Sequence, residues 1–469
     1  MKADGDISLI MIFKKGRLKV STMEKGKKEN SEVKEKKDNK LSKKKAHRPV
    51  RWDKLDNTAH LFPVIAGEDM TNVFRLSVTL KEEVQPDKLQ EALDMLLPKF
   101  NAFNLQLRMG MFWYYFEENG GAAPRVQEED MFPCRYVHPS KSNHYMFRVI
   151  YYRNRISLEV FHVLTDGMGG MNFLRELLYQ YLRLVHPELR ETVGEKLYEG
   201  TSFNREDSFT KNYKKKKTGN SYKKEKAYRI KLEKLPKGEF GVMHGMVPIS
   251  QLKPITKKYG VSINEYLVAL FTWSTYVECL GKMPSDKPIR VAVPVNLRPY
   301  FNSMTTKNFF AMVTAEFFPK KEEYTFEEVI EIIKESLRKQ INKEHLEEVF
   351  SYGVSNQQNK LLRIVPLVIK NVAMKFVYGR SALSSSTTIT NVGKVDVDPL
   401  YEPYVEMFYA FLPMSKGQEL KGTVNSYKDT LVFTFSSIFS DTSVQKEFFR
   451  KIAEDGITVQ IETNGVYYE

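Results

Sequence analysis

The chain has 469 residues, of which 42% are hydrophobic and 28% charged, with 25 Gly and 20 Pro. That usage excludes a collagen-like chain, wholesale disorder or a solenoid of short repeats, and the length allows two or three domains around a large core. The net charge of +14 is concentrated: residues 1–51 carry 17 Lys/Arg against 7 Asp/Glu and residues 211–231 carry 10 against 1, so the remainder is net acidic. Neither basic segment has a hydrophobic pattern. Both read as solvated tail or linker, with attraction to a phosphate-bearing ligand or a membrane surface as the other reading. Two cysteines, Cys134 and Cys279, cannot build a disulfide framework or a Cys-based zinc site, so a reducing, cytoplasmic setting is expected. The apolar stretch Leu9–Phe13 is too short to span a bilayer, and its flanks do not suit a secretory signal.

Along the chain, residues 1–50 are low in complexity and are expected to be disordered. Asn72–Leu80 alternates like a strand, and Pro86 opens a helix with Leu89, Ala92, Leu93, Leu96 and Leu97 on one face. Phe112–Glu117 is predicted as a strand, and Tyr145–Tyr152 with Arg155–Phe161 as a hairpin about Arg153-Asn154. Phe173–Leu184 is predicted as a helix stopped by Pro187. Beyond the basic linker, Ser262–Leu280 reads as a long apolar helix with a cap at Ser262-Ile263-Asn264-Glu265. Arg290–Val295 and Asn308–Phe318 follow as strands and Phe326–Asn342 as an amphipathic helix. More strands and a helix at Phe448–Ala453 close the chain. Strands mixed with helices in both halves predict a mixed α/β (α+β) architecture.

One internal repeat emerges at an offset of 275 residues. ISLEVFHVLTDGMGGMNFLREL (156–177) aligns with LVFTFSSIFSDTSVQKEFFRKI (431–452), placing Asp166 on Asp441, Phe173 on Phe448 and Arg175 on Arg450. Both read as strand, turn with an Asp, then helix. Any such unit resembles any other to a degree; the alternative is duplication into two similar lobes. Only the first copy carries a His, His162, where the second has Ser437. A duplicated scaffold with one reactive group fits an enzyme with one site between lobes.

His162-Val163-Leu164-Thr165-Asp166-Gly167 is the sharpest constellation. His162 ends an alternating strand and titrates near neutrality, so it suits removal of a proton from a hydroxyl or amine. Asp166 either pairs with His162 or turns away to anchor the turn on a cation; an Asp before glycines favours the second. The plain alternative is a core histidine beside a turn aspartate. Val293-Pro294-Val295-Asn296-Leu297-Arg298-Pro299 ends a strand with one arginine, either a surface Arg or a planar partner that reaches Asp166 across the lobes. Asn308 is a candidate channel-lining residue, with capping duty as the alternative. Ser384–Thr390, running into Asn391-Val392-Gly393, offers hydroxyls and N–H groups to a developing oxyanion, Thr390 and Asn391 among them, and is otherwise a polar loop. There is no G-x-S-x-G elbow, Walker loop or H-E-x-x-H. His138 and His144 are not at a metal-ligand spacing, so no metal is expected. The 25 Tyr and 30 Phe fall mostly in strand patterns, which argues for core packing and against a base-stacking nucleic-acid surface.

HVLTDG after a strand, PVNLRP in the second half and Asn308-Phe309-Phe310 together resemble the CoA-dependent acyltransferase superfamily, which includes chloramphenicol acetyltransferase, wax ester synthases and the condensation domains of peptide synthetases. Trp52–Ala59, Leu105–Tyr115 and Gly260–Glu265 look most like bacterial alcohol-acetyltransferase-type proteins. The resemblance spans about 51–465. It implies two similar lobes of mixed sheets flanked by helices, 51–205 and 233–469, joined by a linker at 206–232, with a tunnel at their interface. His162 matches the family's catalytic histidine, Asp166 its structural aspartate with Gly167 beside it, and Arg298 the arginine that pairs with that aspartate. Acyl-CoA is implied as co-substrate with a small alcohol as acceptor, without a permanently bound cofactor, in a monomer. Phe161 stands where condensation domains carry a first His, which disfavours peptide-bond formation. The rival expectations are a carrier-dependent or non-catalytic condensation-like protein, with Lys211–Lys231 docking an acidic carrier, and a membrane-surface enzyme anchored weakly by the basic tail.

Overall fold

The computed structural model describes residues 51–193, 205–215 and 225–467. The 1–50 tail lies outside the described residues, as does 216–224 of the basic linker. Two mixed sheets carry the chain. The first has five strands in the order Val405–Phe411, Val73–Leu80, Arg155–Phe161, Phe147–Tyr152 and Gln127–Glu128. The second has seven: Phe310–Phe317, Ile289–Asn296, Thr387–Lys394, Leu420–Tyr427, Thr430–Ser437, Gly241–Pro248 and Gln460–Thr463. A small sheet of Trp52–Lys54, Tyr114–Glu118 and Leu105–Met109 completes the set. The result is a mixed α+β fold with two lobes. One strand breaks chain order: Val405–Phe411, from the second half, pairs antiparallel with Val73–Leu80 in the first-lobe sheet.

Alternation sorts the side chains of the first sheet. Phe74, Leu76, Val78, Ile156, Leu158 and Val160 point into one apolar core, under the helices Pro86–Leu96 and Gly167–Val185 that pack together. Arg75, Ser77, Ser157 and Glu159 occupy the intervening positions and are also buried. Glu159 is fully buried, and burial alone would raise its pKa. Arg75 and Arg148, with the Cys134 N–H, overcome that and hold it below the usual carboxylate range. The second core gathers around Ile263–Leu280. Ser262 and Glu265 form a reciprocal capping box at its start. Thr272, Ser274 and Thr275 bury their hydroxyls by donating to carbonyls four residues earlier.

The 275-residue offset carries through to backbone geometry. The strands Arg155–Phe161 and Thr430–Ser437 each precede a helix, Gly167–Val185 and Ser443–Glu454. Each is the second strand of a hairpin whose turn holds a residue at positive φ, Arg153 (51°) and Lys428 (51°). The Asp of each copy accepts a backbone N–H just inside its helix, Gly169 N on Asp166 and Ser443 N on Asp441.

Several elements differ from expectation. The helix after His162 starts at Gly167 rather than Phe173 because Asp166 caps it. Residues 343–381 form helices, Lys343–Gln358, Lys360–Arg363 and Leu367–Ser381. Apolar residues at the described ends of the basic linker pack on the body, with Phe209, Ala227 and Ile230 buried, while the lysines described there, Lys211, Lys214, Lys215, Lys226 and Lys231, are exposed, Lys214 pairing with Glu347 at 2.9 Å. Among the described residues no helix is long and apolar enough to cross a membrane.

Candidate active site

The strand Arg155–Phe161 ends one residue before His162, whose N–H is fixed on the Asn72 carbonyl at 2.9 Å. The chain then turns through Val163–Thr165, all buried, into the helix that opens at Gly167. The imidazole is only partly buried. Its faces are apolar: Phe62 stacks on it with centroids 4.6 Å apart, Phe74 meets it edge-on at 5.1 Å, and Phe310 stands at 5.9 Å. Burial lowers the His162 pKa. Its own backbone carbonyl, the Asp166 charge and the Asn308 contact act the other way and do not reverse the shift. The ring is therefore neutral at neutral pH.

Asn308 decides which nitrogen keeps the proton. Its Nδ2 group donates to Asp56 Oδ2 at 3.0 Å and to the His162 carbonyl at 3.2 Å, which uses both of its protons. Its Oδ1 therefore faces His162 Nδ1, 3.0 Å away, as an acceptor. Hydrogen-bond consistency then assigns Nδ1 as N–H and leaves Nε2 with its lone pair. No hydrogen-bond partner for Nε2 occurs among the described residues. Behind Asn308, Asp56 is buried and also accepts from the N–H groups of Asn308 (3.2 Å) and Ala59 (2.8 Å). Burial pushes the Asp56 carboxyl up to about 6, against those donors and the Lys307 charge.

Asp166 turns away from the ring. Arg298 meets it with both terminal nitrogens, Nη1 to Oδ2 at 2.8 Å and Nη2 to Oδ1 at 3.1 Å. The carboxylate also accepts from Gly169 N and Phe309 N, each at 3.1 Å. The guanidinium further donates to the carbonyls of Thr305 (2.9 Å) and Lys307 (2.8 Å). One buried, bidentate pair thus ties the start of the Gly167–Val185 helix to residues 298–309, which also carry Asn308. Lys307 anchors the next layer through Asp53 Oδ1 (2.9 Å) and the Lys54 carbonyl (2.8 Å).

No family model matches the chain, and no curated protein matches it by sequence. Solved structures do. TRI101 of Fusarium sporotrichioides, complexed with coenzyme A and T-2, superposes with a TM-score of 0.58 at 11% identity, over 88% of this chain and 99% of its own. Polyketide synthase associated protein 5 of Mycobacterium tuberculosis gives 0.56 at 13% identity, over 85% and 96%. The epimerization domain from the third module of tyrocidine synthetase B gives 0.52 at 9%, over 87% and 96%. The chain has the fold of the CoA-dependent acyltransferases and condensation domains.

Within this acyltransferase fold the expected site residues fall into two sets. His162, Asp166, Arg298 and Asn308 meet at one place. Asn308 is not a channel wall: it is 1% exposed, behind the ring, with both amide protons engaged. Gly167 has room, since a Cβ there would meet Val392 at an ordinary 3.6 Å, whereas a Cβ on Gly169 would lie 1.9 Å from Thr165 Oγ1 and 2.9 Å from the Thr306 carbonyl. The steric demand for glycine therefore sits at 169. The hydroxyl-rich stretch is not a loop from Thr387 on, but a strand running parallel to both of its neighbours. Thr387 donates to the Leu420 carbonyl, Thr388 to Gln418, and Ser386 Oγ accepts from Arg290 N. Those hydroxyls are committed to the sheet. Thr390 is half-buried on that strand, and exposed Asn391 turns its side-chain oxygen onto Gly393 N at 2.8 Å.

A cavity of about 1470 Å³ separates the two sheets, walled by Arg75, Ser77, Arg155, His244, Tyr409 and Phe411 among others. His162 does not line it. Phe74, which touches the ring, alternates to the other face of its strand from Arg75 and Ser77. Sequence reasoning gave no role to Asp56, Phe62, Phe74 or Phe310. Asp56 lies in the Trp52–Ala59 run that carries part of the family resemblance, but only the fold shows that its carboxylate reaches Asn308.

Proposed function

We propose that this protein is an acyltransferase that moves an acetyl or related acyl group from acyl-CoA to the hydroxyl of a small alcohol, with His162 as general base. The observation that carries the reading is the free Nε2 of His162, held neutral by burial and oriented by Asn308 on Nδ1. Nε2 takes the proton of the acceptor hydroxyl as its oxygen bonds to the thioester carbonyl carbon. The tetrahedral intermediate then expels the CoA thiolate, which takes the same proton back from Nε2. No covalent acyl-enzyme is required, because holding both substrates in one site makes the attack effectively unimolecular. The Gly167 N–H at the head of its helix and Thr390 are the candidate oxyanion donors. Their elements meet where Val392 lies beside Gly167. Two free cysteines suit a reducing cytoplasm. The superposed coenzyme A-bound TRI101 supports the donor class. Phe161, in place of a second histidine, favours a free alcohol over a carrier-bound acceptor.

The test is thiol release from acetyl-CoA with a panel of alcohols. His162→Ala should keep its melting temperature and lose at least about 10²-fold in turnover, the contribution of a positioned base. Wild-type turnover in that variant overturns the assignment.

A further inference from the structure

From Val349 to Val395 the chain has no Asp or Glu and six cations: Lys360, Arg363, Lys370, Lys375, Arg380 and Lys394. The helices Lys360–Arg363 and Leu367–Ser381 lie within this stretch, separated by a break at Pro366. Their polarity is inverted relative to a helix on an aqueous surface. The inward side is held by polar contacts: the Leu367 N–H on the Met111 carbonyl (2.9 Å), Lys370 Nζ on the Phe112 carbonyl (3.1 Å) and over the Trp113 ring, and Asn371 Nδ2 on the Tyr114 hydroxyl (2.8 Å). Only Leu367 of its helix is buried. The outward side is apolar. Val368 (66% exposed), Val372 (69%) and Phe376 (65%) recur at four-residue spacing along the longer helix, and Leu361 (74%) and Ile364 (70%) are exposed before the break. Met111, on the loop to which the helix is tied, is equally open. A contiguous apolar stripe of this kind marks a contact surface.

We infer that this face docks on an anionic lipid bilayer, lying in the interface with the Val368–Val372–Phe376 stripe among the acyl chains and Lys360, Arg363, Lys375 and Arg380 at the headgroups. Charge selects this occupant. A second copy of the chain would bring the same cations against themselves. The chain's own residues 1–51, with 17 Lys/Arg against 7 Asp/Glu, lack the negative charge that would complement this face. Negative headgroups instead attract juxtaposed Lys and Arg, and exposed apolar side chains set among cations and free of carboxylates suit the headgroup–acyl boundary. The helix also packs against the Phe62–Ile65 turn, whose Phe62 stacks on His162, so docking sets the candidate active site beside the bilayer. The inference does not depend on acyl transfer, since vesicle binding is read without turnover.

The test is co-sedimentation of the full chain with phosphatidylcholine vesicles with and without phosphatidylglycerol, alongside the Val368→Asp/Val372→Asp/Phe376→Asp variant. These side chains are exposed, so its melting curve should match wild type. Wild type should bind the mixed vesicles and bind the neutral ones at least about tenfold more weakly, and the triple variant should lose binding to both by a similar factor. Lys375→Glu/Arg380→Glu should remove the preference for the anionic lipid. Binding that survives the triple substitution assigns the contact to another part of the chain and overturns the proposal. So does absence of binding by wild type, or a wild-type dimer in sedimentation velocity that the triple variant dissolves.

Discussion

Replacing Asn308 by Ala separates the orientation of the imidazole from its presence. Truncation removes the acceptor on His162 Nδ1, 3.0 Å away, and one of the three donors to Asp56. A hydrogen bond of this kind contributes roughly 1–1.5 kcal/mol, so the tautomer with a free Nε2 loses about tenfold of its preference, and kcat should fall by about that factor with KM little changed. His162→Ala, by contrast, should cost 10²-fold or more. The pH profile has a defined sign. The Asn308 contact raises the His162 pKa against the larger lowering by burial. Its removal therefore moves the acid limb of kcat/KM to lower pH. Stability moves differently. Asp56 has its folded pKa raised from 3.8 to about 6, so its contribution is fully present below the unfolded value and is lost as pH rises through 6. The ionised form already costs the fold about 3 kcal/mol at neutral pH. Without the Asn308 amide the destabilisation should be larger at pH 8 than at pH 5. Thiol-release kinetics from pH 5 to 8, melting curves at both ends and the ¹⁵N shifts of the His162 ring measure these separately. Unchanged ring shifts, or an acid limb that moves to higher pH, would refute the orienting role.

Other outcomes follow from the same geometry. Arg298→Ala and Asp166→Asn each leave a buried charge without its partner, so each should destabilise by about 3–5 kcal/mol, read as a loss of denaturation midpoint. Gly169→Ala should fold poorly or lose activity, because its Cβ falls within 1.9 Å of Thr165 Oγ1, whereas Gly167→Ala should keep its melting temperature. Equal stability of the two alanine variants would place the steric demand elsewhere. Glu159→Gln should lower stability by several kcal/mol, since the buried Arg75 would face an amide in place of its carboxylate. An unchanged midpoint would show the cluster to be dispensable.

The parts of the fold legible in the sequence are those where local pattern and tertiary role agree. Arg155–Phe161 alternates because one face enters the helix-covered core and the other meets the buried ion cluster. The long helix declares itself through Ser262 and Glu265, whose reciprocal cap is a local interaction. The Asp166-to-Arg298 contact was readable because arginine and carboxylate are chemically matched at two strand ends. What escaped depends on distance in the chain. Asp56 acts on a residue 252 positions away, and nothing at its own position distinguishes a buried carboxylate from a surface one. The hydroxyls of Ser384–Thr390 mimic a loop, but a strand of the second sheet absorbs them because Leu420 and Gln418 supply acceptors. The outward apolar stripe of Leu367–Ser381 carries a helical period that ordinarily means core, and only its exposure reverses the meaning.

Two strand–turn–helix units share one frame, yet the candidate site stands at the first alone. At the equivalent of His162, Ser437 turns its hydroxyl onto the Phe439 N–H at 2.8 Å and is buried, so it serves as a local cap. Asp441 likewise accepts Ser443 N, and none of the ion pairs among the described residues joins it to an arginine, whereas Asp166 has Arg298. The first copy differs in what the second lobe delivers to it. Residues 298–309 bring an arginine for the turn and an amide for the ring in a single segment, backed by Asp53 and Asp56 near the first described residues. The strand–turn–helix frame thus occurs twice, but an oriented imidazole stands only where three distant segments converge, and Ser437→His would lack the Asn308 and Asp56 contacts that orient the first.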